Sequence, residues 1–115
     1  VVSLLKNEGW AVQVLETALE RGCVTVAEKH KCLLVKVEKR KGWPDRILLC
    51  PNGQMAWIEF KRPGEKPTKF QEHIHEVLRS MNFRVYVVDN YSEFLEALTY
   101  LKGLDHPPGF PSTIR

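Results

Sequence analysis

The spacing of apolar residues changes period several times along the chain. Residues 1–15 carry Trp10, Val12, Val14 and Leu15 with no clear helical stripe. At Thr17-Ala18-Leu19-Glu20 the sequence has the form of a capping box, and helical spacing follows. Leu19, Cys23, Val26/Ala27 and His30 share one face, with Glu20, Val24, Ala27 and Lys31 beside it. Gly22 weakens this helix by about 1 kcal/mol relative to Ala. Residues 32–37 form a short apolar run containing Lys36, the first predicted strand. Two more such runs are Ile47-Leu48-Leu49-Cys50 and Met55-Ala56-Trp57-Ile58. They flank Pro51-Asn52-Gly53-Gln54 and predict a hairpin.

Beyond the hairpin, Arg62-Pro63-Gly64-Glu65-Lys66-Pro67 is a loop by its two prolines and glycine. Thr68 is a good N-cap for a helix with the apolar stripe Phe70, Ile74, Val77/Leu78 and Met81. Residues 84–89 are almost continuously apolar, which predicts an interior strand covered on both faces. Ser92 is placed to cap a last helix, with Phe94/Leu95, Leu98 and Leu101 toward the sheet. From Gly103 onward, Pro107, Pro108, Gly109 and Pro111 predict an extended arm or a disordered tail. The element order is helix, strand, strand, strand, helix, strand, helix. It predicts one α/β domain over residues 1–102 and a tail over 103–115.

Composition narrows the classes. A chain of 115 residues with 43 % hydrophobic and 27 % charged residues suits one globular domain with a real core. No apolar run approaches the ~20 residues of a membrane span. Val1-Val2-Ser3-Leu4-Leu5 is too short for a signal-peptide core. The absence of an initiator Met is expected of a trimmed chain or a fragment. Cys23, Cys32 and Cys50 are odd in number and lack CxxC spacing, which argues against disulfides or zinc. They read as small core residues in a reducing compartment. The net charge of +3 is clustered, at Lys36, Lys39, Arg40 and Lys41 and again at Lys61, Arg62, Lys66 and Lys69. Such clusters are compatible with nucleic acid.

The chemistry gathers in residues 42–61. Glu59 and Lys61 lie two apart on the second hairpin strand and so share a face. Asp45 opens the first strand, and the fold-back brings it near the end of the second. Two carboxylates can hold a hard cation such as Mg²⁺. A lysine beside them can orient or deprotonate a water, or stabilise charge growing on phosphorus. The alternative for Glu59 and Lys61 is an ordinary solvent-facing hairpin edge. Residues 38–42 form a basic, Gly-ended loop just before Pro44-Asp45, placed for phosphate contact through Lys39, Arg40 and Lys41. Gln71 opens the helix after the hairpin. His73 and His75 cannot share a helix face, and both read as surface residues.

These residues carry a resemblance. Pro44-Asp45 followed by Glu59-x-Lys61 resembles the PD-(D/E)xK nuclease superfamily. The longer string Gly42-Trp43-Pro44-Asp45, then Trp57-Ile58-Glu59-Phe60-Lys61-Arg62-Pro63-Gly64, then Phe70-Gln71, is similar to the virus-type replication-repair nuclease (VRR-NUC) domain. The resemblance covers roughly residues 16 to 90. It implies a restriction-endonuclease-like sandwich, a mixed central sheet flanked by helices in the order αβββαβα. It also implies a Mg²⁺- or Mn²⁺-dependent DNA endonuclease in the cytoplasm of a bacterium or a phage-infected host. In that scheme Asp45, Glu59 and the Phe60 backbone carbonyl bind metal, Lys61 handles the attacking water and Gln71 assists. A helix acid completes the site: Glu20 matches best, Glu16 lies one turn earlier, and Glu20 could instead be a cap partner. Lys39, Arg40, Lys41, Arg62, Lys66 and Lys69 would contact DNA. Small phage and bacterial members of the family tend to be homodimers acting on branched DNA such as four-way junctions. Trp10, Val12, Val14 and Phe110 are apolar residues to spare for such an interface. The competing reading is a nucleic-acid-binding module of the same fold that does no chemistry.

Overall fold

The computed structural model describes residues 8–103, with side chains from residue 17 onward. Its elements are α1 (Glu8–Lys29), β1 (Leu33–Lys36), β2 (Arg46–Leu49), β3 (Met55–Phe60), α2 (Lys69–Ser80), β4 (Val85–Val88) and α3 (Tyr91–Lys102). This is the expected order. The boundaries of α1 differ from expectation. The helix already runs at Glu8, so Thr17 lies inside it and the Thr17–Glu20 capping box does not start it. A cap residue must leave helical geometry, which a residue in mid-helix cannot do. The other end is a Schellman turn. Lys31 takes φ 61°, Cys32 N–H donates to Ala27 O at 2.8 Å, and Lys31 N–H donates to Glu28 O at 3.0 Å. That turn satisfies the last carbonyls and sends the chain straight into β1.

The sheet has the order β1-β2-β3-β4, antiparallel at the first two junctions and parallel at the last. Side chains alternate between its faces. On one face Leu34, Leu48, Ala56, Ile58, Phe60 and Val88 meet Cys23 and Ala27 of α1 and Phe94, Leu98 and Leu101 of α3. This is the main core. On the other face lie Glu59 and Lys61, with α2 above them. That second face is left open over β1 and β2, where Leu33, Val35 and Leu49 are exposed.

Three local expectations are corrected. β4 lies at an edge of the sheet rather than inside it. Its apolar run arises because α3 covers one face and α2 meets the other, while among the described residues no strand pairs with its outer edge. Asn90, not Ser92, caps α3: its side chain accepts from Glu93 N–H at 3.0 Å. Asn is as good a cap as Ser, and it stands where the chain leaves extended geometry. The apolar stripe read for α2 is buried only in part, at Leu78 and half at Ile74. His75 and Leu78 are buried, whereas Phe70, Val77 and Met81 are 46 %, 41 % and 53 % exposed. The Thr68 cap forms as expected, with Gln71 as its partner. Among the described residues, no helix is long and apolar enough to cross a membrane.

All three cysteines are buried and unbridged, with the Cys32 and Cys50 sulfurs 3.2 Å apart. Burial pushes the Cys23 and Cys50 thiols up from 9.0 to about 12. Nearby Glu20 adds to the shift at Cys23, and a hydrogen bond with Cys32 adds to it at Cys50. An unfolded chain releases these protons first, so stability is full below pH 9 and declines as pH rises toward 12. Urea midpoints should fall across that window, and the fall should be shallower in Cys23→Ala. An equal slope in the variant would show that Cys23 does not carry the effect.

Candidate active site

Asp45 is positioned by both neighbouring strands. Its N–H donates to Ile58 O at 3.1 Å, and its carbonyl accepts from Val37 N–H at 3.1 Å. Its carboxylate Oδ2 accepts from Phe60 N–H at 2.9 Å. The β2–β3 register ends with Arg46 opposite Ile58, and Asp45, one residue earlier, reaches β3 through its bonds to Ile58 and Phe60. A strand residue presents its N–H and C=O to the same edge. The Phe60 carbonyl therefore lies on the Asp45 side of β3, as its amide does.

Glu59 is 3 % exposed and Lys61 8 %, both on the face beneath α2. Their burial removes the solvent-facing hairpin edge as an account of this pair. Lys61 is held beyond the end of β3 by its N–H bond to Val88 O at 2.9 Å. The side chain meeting Glu59 is His75, with Nε2 3.4 Å from Oε1. This corrects the surface reading of His75, which is 1 % exposed; His73 is exposed as expected. The missed signal was one of position. His75 lies four residues after Gln71 and so on its face of α2.

Glu20 and Asp45 line one cavity of about 240 Å³, with Thr17, Lys36, Lys39 and Trp43 also on its wall. Glu20 is in reach of the site but engaged: its carboxylate accepts from Arg46 Nε, while Arg46 Nη1 donates to Leu34 O at 3.0 Å. Arg46 faces the core side like its partner Ile58 and so meets α1. The side chain of Glu16 lies outside the described residues, as do those of Trp10, Val12, Val14 and Phe110. Gln71 is used in the cap of α2. Its Oε1 accepts from Thr68 N–H at 2.9 Å, which leaves the Nε2 group to act as a donor.

The basic residues Lys39, Arg40, Lys41, Arg62, Lys66 and Lys69 are all exposed. Two rest on aromatic rings: the Arg40 guanidinium lies 5.3 Å from the Trp43 ring centre and the Lys41 ammonium 5.8 Å from that of Phe70. Trp43 in turn packs edge-on against Trp57 at 5.6 Å. The loop before Asp45 is thus anchored to β3 and α2. Arg62 lies 3.8 Å from Glu65 within its own loop.

Among the described residues, no three His, Cys, Asp or Glu side chains converge as a metal cage. The donors near the end of β3 are oxygens: the Asp45 carboxylate, bonded to Phe60 N–H, the buried Glu59 carboxylate and the Phe60 carbonyl. Mg²⁺ commonly takes one or two carboxylates and fills the remaining positions with water and phosphate. The donor set therefore fits Mg²⁺ or Mn²⁺ and does not fit a thiolate or imidazole metal site.

The described residues form an α/β fold with a mixed four-stranded sheet and three helices, compatible with an α/β nuclease fold. No family model matches the chain. It is 34 % identical over 79 residues to "Putative nuclease p44" of Acyrthosiphon pisum secondary endosymbiont phage 1, a match covering 67 % of this chain and 85 % of the phage protein. The chain belongs to the family of that phage protein.

Gly42 shows how tightly the loop is set. Its φ is +82°, and a Cβ there would meet Phe70 Cδ2 at 2.6 Å and Ile74 Cγ1 at 3.1 Å. Gly42→Ala should destabilise the fold by about 1–2 kcal/mol from the backbone alone, with a further loss from displacing Phe70. A denaturant midpoint equal to that of the parent would show that the loop yields freely.

Proposed function

We propose that this protein is a Mg²⁺- or Mn²⁺-dependent DNA endonuclease of the VRR-NUC type within the PD-(D/E)xK superfamily. The observation that carries the reading is the hydrogen bond from Phe60 N–H to Asp45 Oδ2, which sets the Pro-Asp carboxylate across from the Glu-x-Lys strand. The name of the phage relative supports a nuclease in the same direction. A divalent ion held by Asp45, Glu59 and the Phe60 carbonyl would polarise the phosphoryl group and acidify a bound water.

The chain's own residues supply the rest. Asp45 and Glu59 orient the scissile phosphate by fixing where its counter-charge sits. Lys61, nearly buried on the same strand face as Glu59, offsets charge on the phosphate oxygens, and the attacking water gives up its proton to Lys61 as the free amine or to solvent. Water oxygen bonds to phosphorus, the ester P–O bond breaks, and the leaving oxygen takes a proton from solvent. Gln71 donates its Nε2–H to a phosphate oxygen. Glu20, on the wall of the Asp45 cavity, serves a second ion or an ordered water once released from Arg46. Lys39, Arg40, Lys41, Arg62, Lys66 and Lys69 hold flanking phosphates. Branched DNA as the substrate and a homodimer as the working form belong to the same proposal. Two sites related by a two-fold axis match paired cuts in a four-way junction.

The first test is a set of substitutions. Asp45→Ala and Glu59→Ala should remain folded, lose Mn²⁺ binding by calorimetry and lose cleavage. Lys61→Ala should bind Mn²⁺ and DNA but cut about 10²–10⁴-fold more slowly. Unchanged Mn²⁺ affinity in both carboxylate variants would sink the metal assignment, and DNA binding with no cleavage under any condition would favour the non-catalytic module. The second test compares labelled duplex, flap and four-way-junction DNA with Mg²⁺, with Mn²⁺ and without metal, alongside sedimentation of the protein. A dimer cutting junctions in preference to duplex is expected; a monomer, or equal cutting of both, would remove that part.

A further inference from the structure

Resting on the metal reading above, we propose that His75 is the positioning residue for Glu59: its ring holds Oε1 so that the other carboxylate oxygen faces the ion. Both groups are buried, at 3 % and 1 % exposure. A carboxylate taken out of water needs hydrogen-bonding or charged partners to remain ionised. His75 is the side chain that α2 places against it, with Nε2 3.4 Å from Oε1. With the proton on Nε2, the ring donates to that oxygen.

Geometry explains why this matters for binding an ion. A carboxylate with both oxygens loose can swing between one-oxygen and two-oxygen coordination. Pinning one oxygen leaves the other in a single direction. Ligating carboxylates are ordinarily held in this way by an outer partner, and its removal commonly lowers metal affinity or activity about 10–100-fold. An imidazole suits the task, since a buried ring has only two side-chain torsions. The helix itself is well placed. The reciprocal Thr68–Gln71 cap sets where α2 begins, nearly two turns ahead of His75. The unusual burial pattern of α2 follows: it turns His75 toward the sheet while Phe70, Val77 and Met81 stay half-exposed.

A purely space-filling histidine makes a different prediction, because an apolar residue of similar size would replace it. His75→Leu and His75→Gln separate the two. Calorimetry with Mn²⁺ alone should show affinity about 10–100-fold lower in His75→Leu, with His75→Gln, which keeps a donor, within a few-fold of the parent. Equal Mn²⁺ affinity in parent and His75→Leu overturns the proposal while leaving the metal assignment intact. A parent that binds no Mn²⁺ overturns the metal assignment, and the role of His75 falls with it. A second measurement needs no substitution and covers the case in which His75→Leu fails to fold. The His75 Nε2 nitrogen resonance of the parent should move in step with Mg²⁺ occupancy. A resonance unmoved at saturation overturns the proposal.

Discussion

The position of Asp45 rests on backbone bonds to the chain on both sides of it. Its N–H is given to Ile58 and its carbonyl is taken by Val37, so its backbone is clamped between β1 and β3. Only then can its carboxylate accept from Phe60 N–H. A one-residue slip of β2 against β3 would send every side chain of β2 to the opposite face and carry Asp45 away from Phe60 N–H. The buried Leu48, Ala56 and Ile58 resist that slip, because it would move the core face into water. Packing on one face of the sheet thus sets the chemistry at its end.

The opposite face makes the complementary demand. Glu59 and Lys61 are buried there, and charged groups out of water need partners. An all-apolar helix laid over them would leave both unsatisfied. The helix presents His75 to Glu59 beside buried Leu78. The consequence is visible elsewhere, in half-exposed Phe70, Val77 and Met81, and in the use of Phe70 as a seat for Gly42 and Lys41. The loop bearing Trp43 and Asp45 is therefore steadied by the same helix that steadies Glu59.

Arg46 plays a like role on the core side. One guanidinium joins the Glu20 carboxylate of α1 to the Leu34 carbonyl of β1. It links the long helix to the edge of the sheet next to the Asp45 cavity. Glu20 is thereby kept on the wall of the Asp45 cavity.

What was legible in the sequence was local. The hairpin, the Thr68 cap, the strand alternation that puts Glu59 and Lys61 on one face, and the order of seven elements all follow from period and turn chemistry within a few residues. The meeting of Asp45 with the Glu-x-Lys strand was legible too, because a short hairpin leaves little choice of register. Tertiary structure decided what local pattern leaves degenerate. Asn90 and Ser92 are both competent caps two residues apart, and only the docking of α3 selects between them. An apolar run such as β4 has the same pattern inside a sheet as at an edge covered by helices. Thr17 and Glu20 look like a helix start until the helix extends back through them. The partners of the charged groups lie furthest from sequence reasoning. Glu59 meets His75 across 16 positions and Glu20 meets Arg46 across 26, so neither contact leaves a trace in helical or strand periodicity. They exist because folding buries charge, and buried charge takes whichever polar group the packing brings within reach.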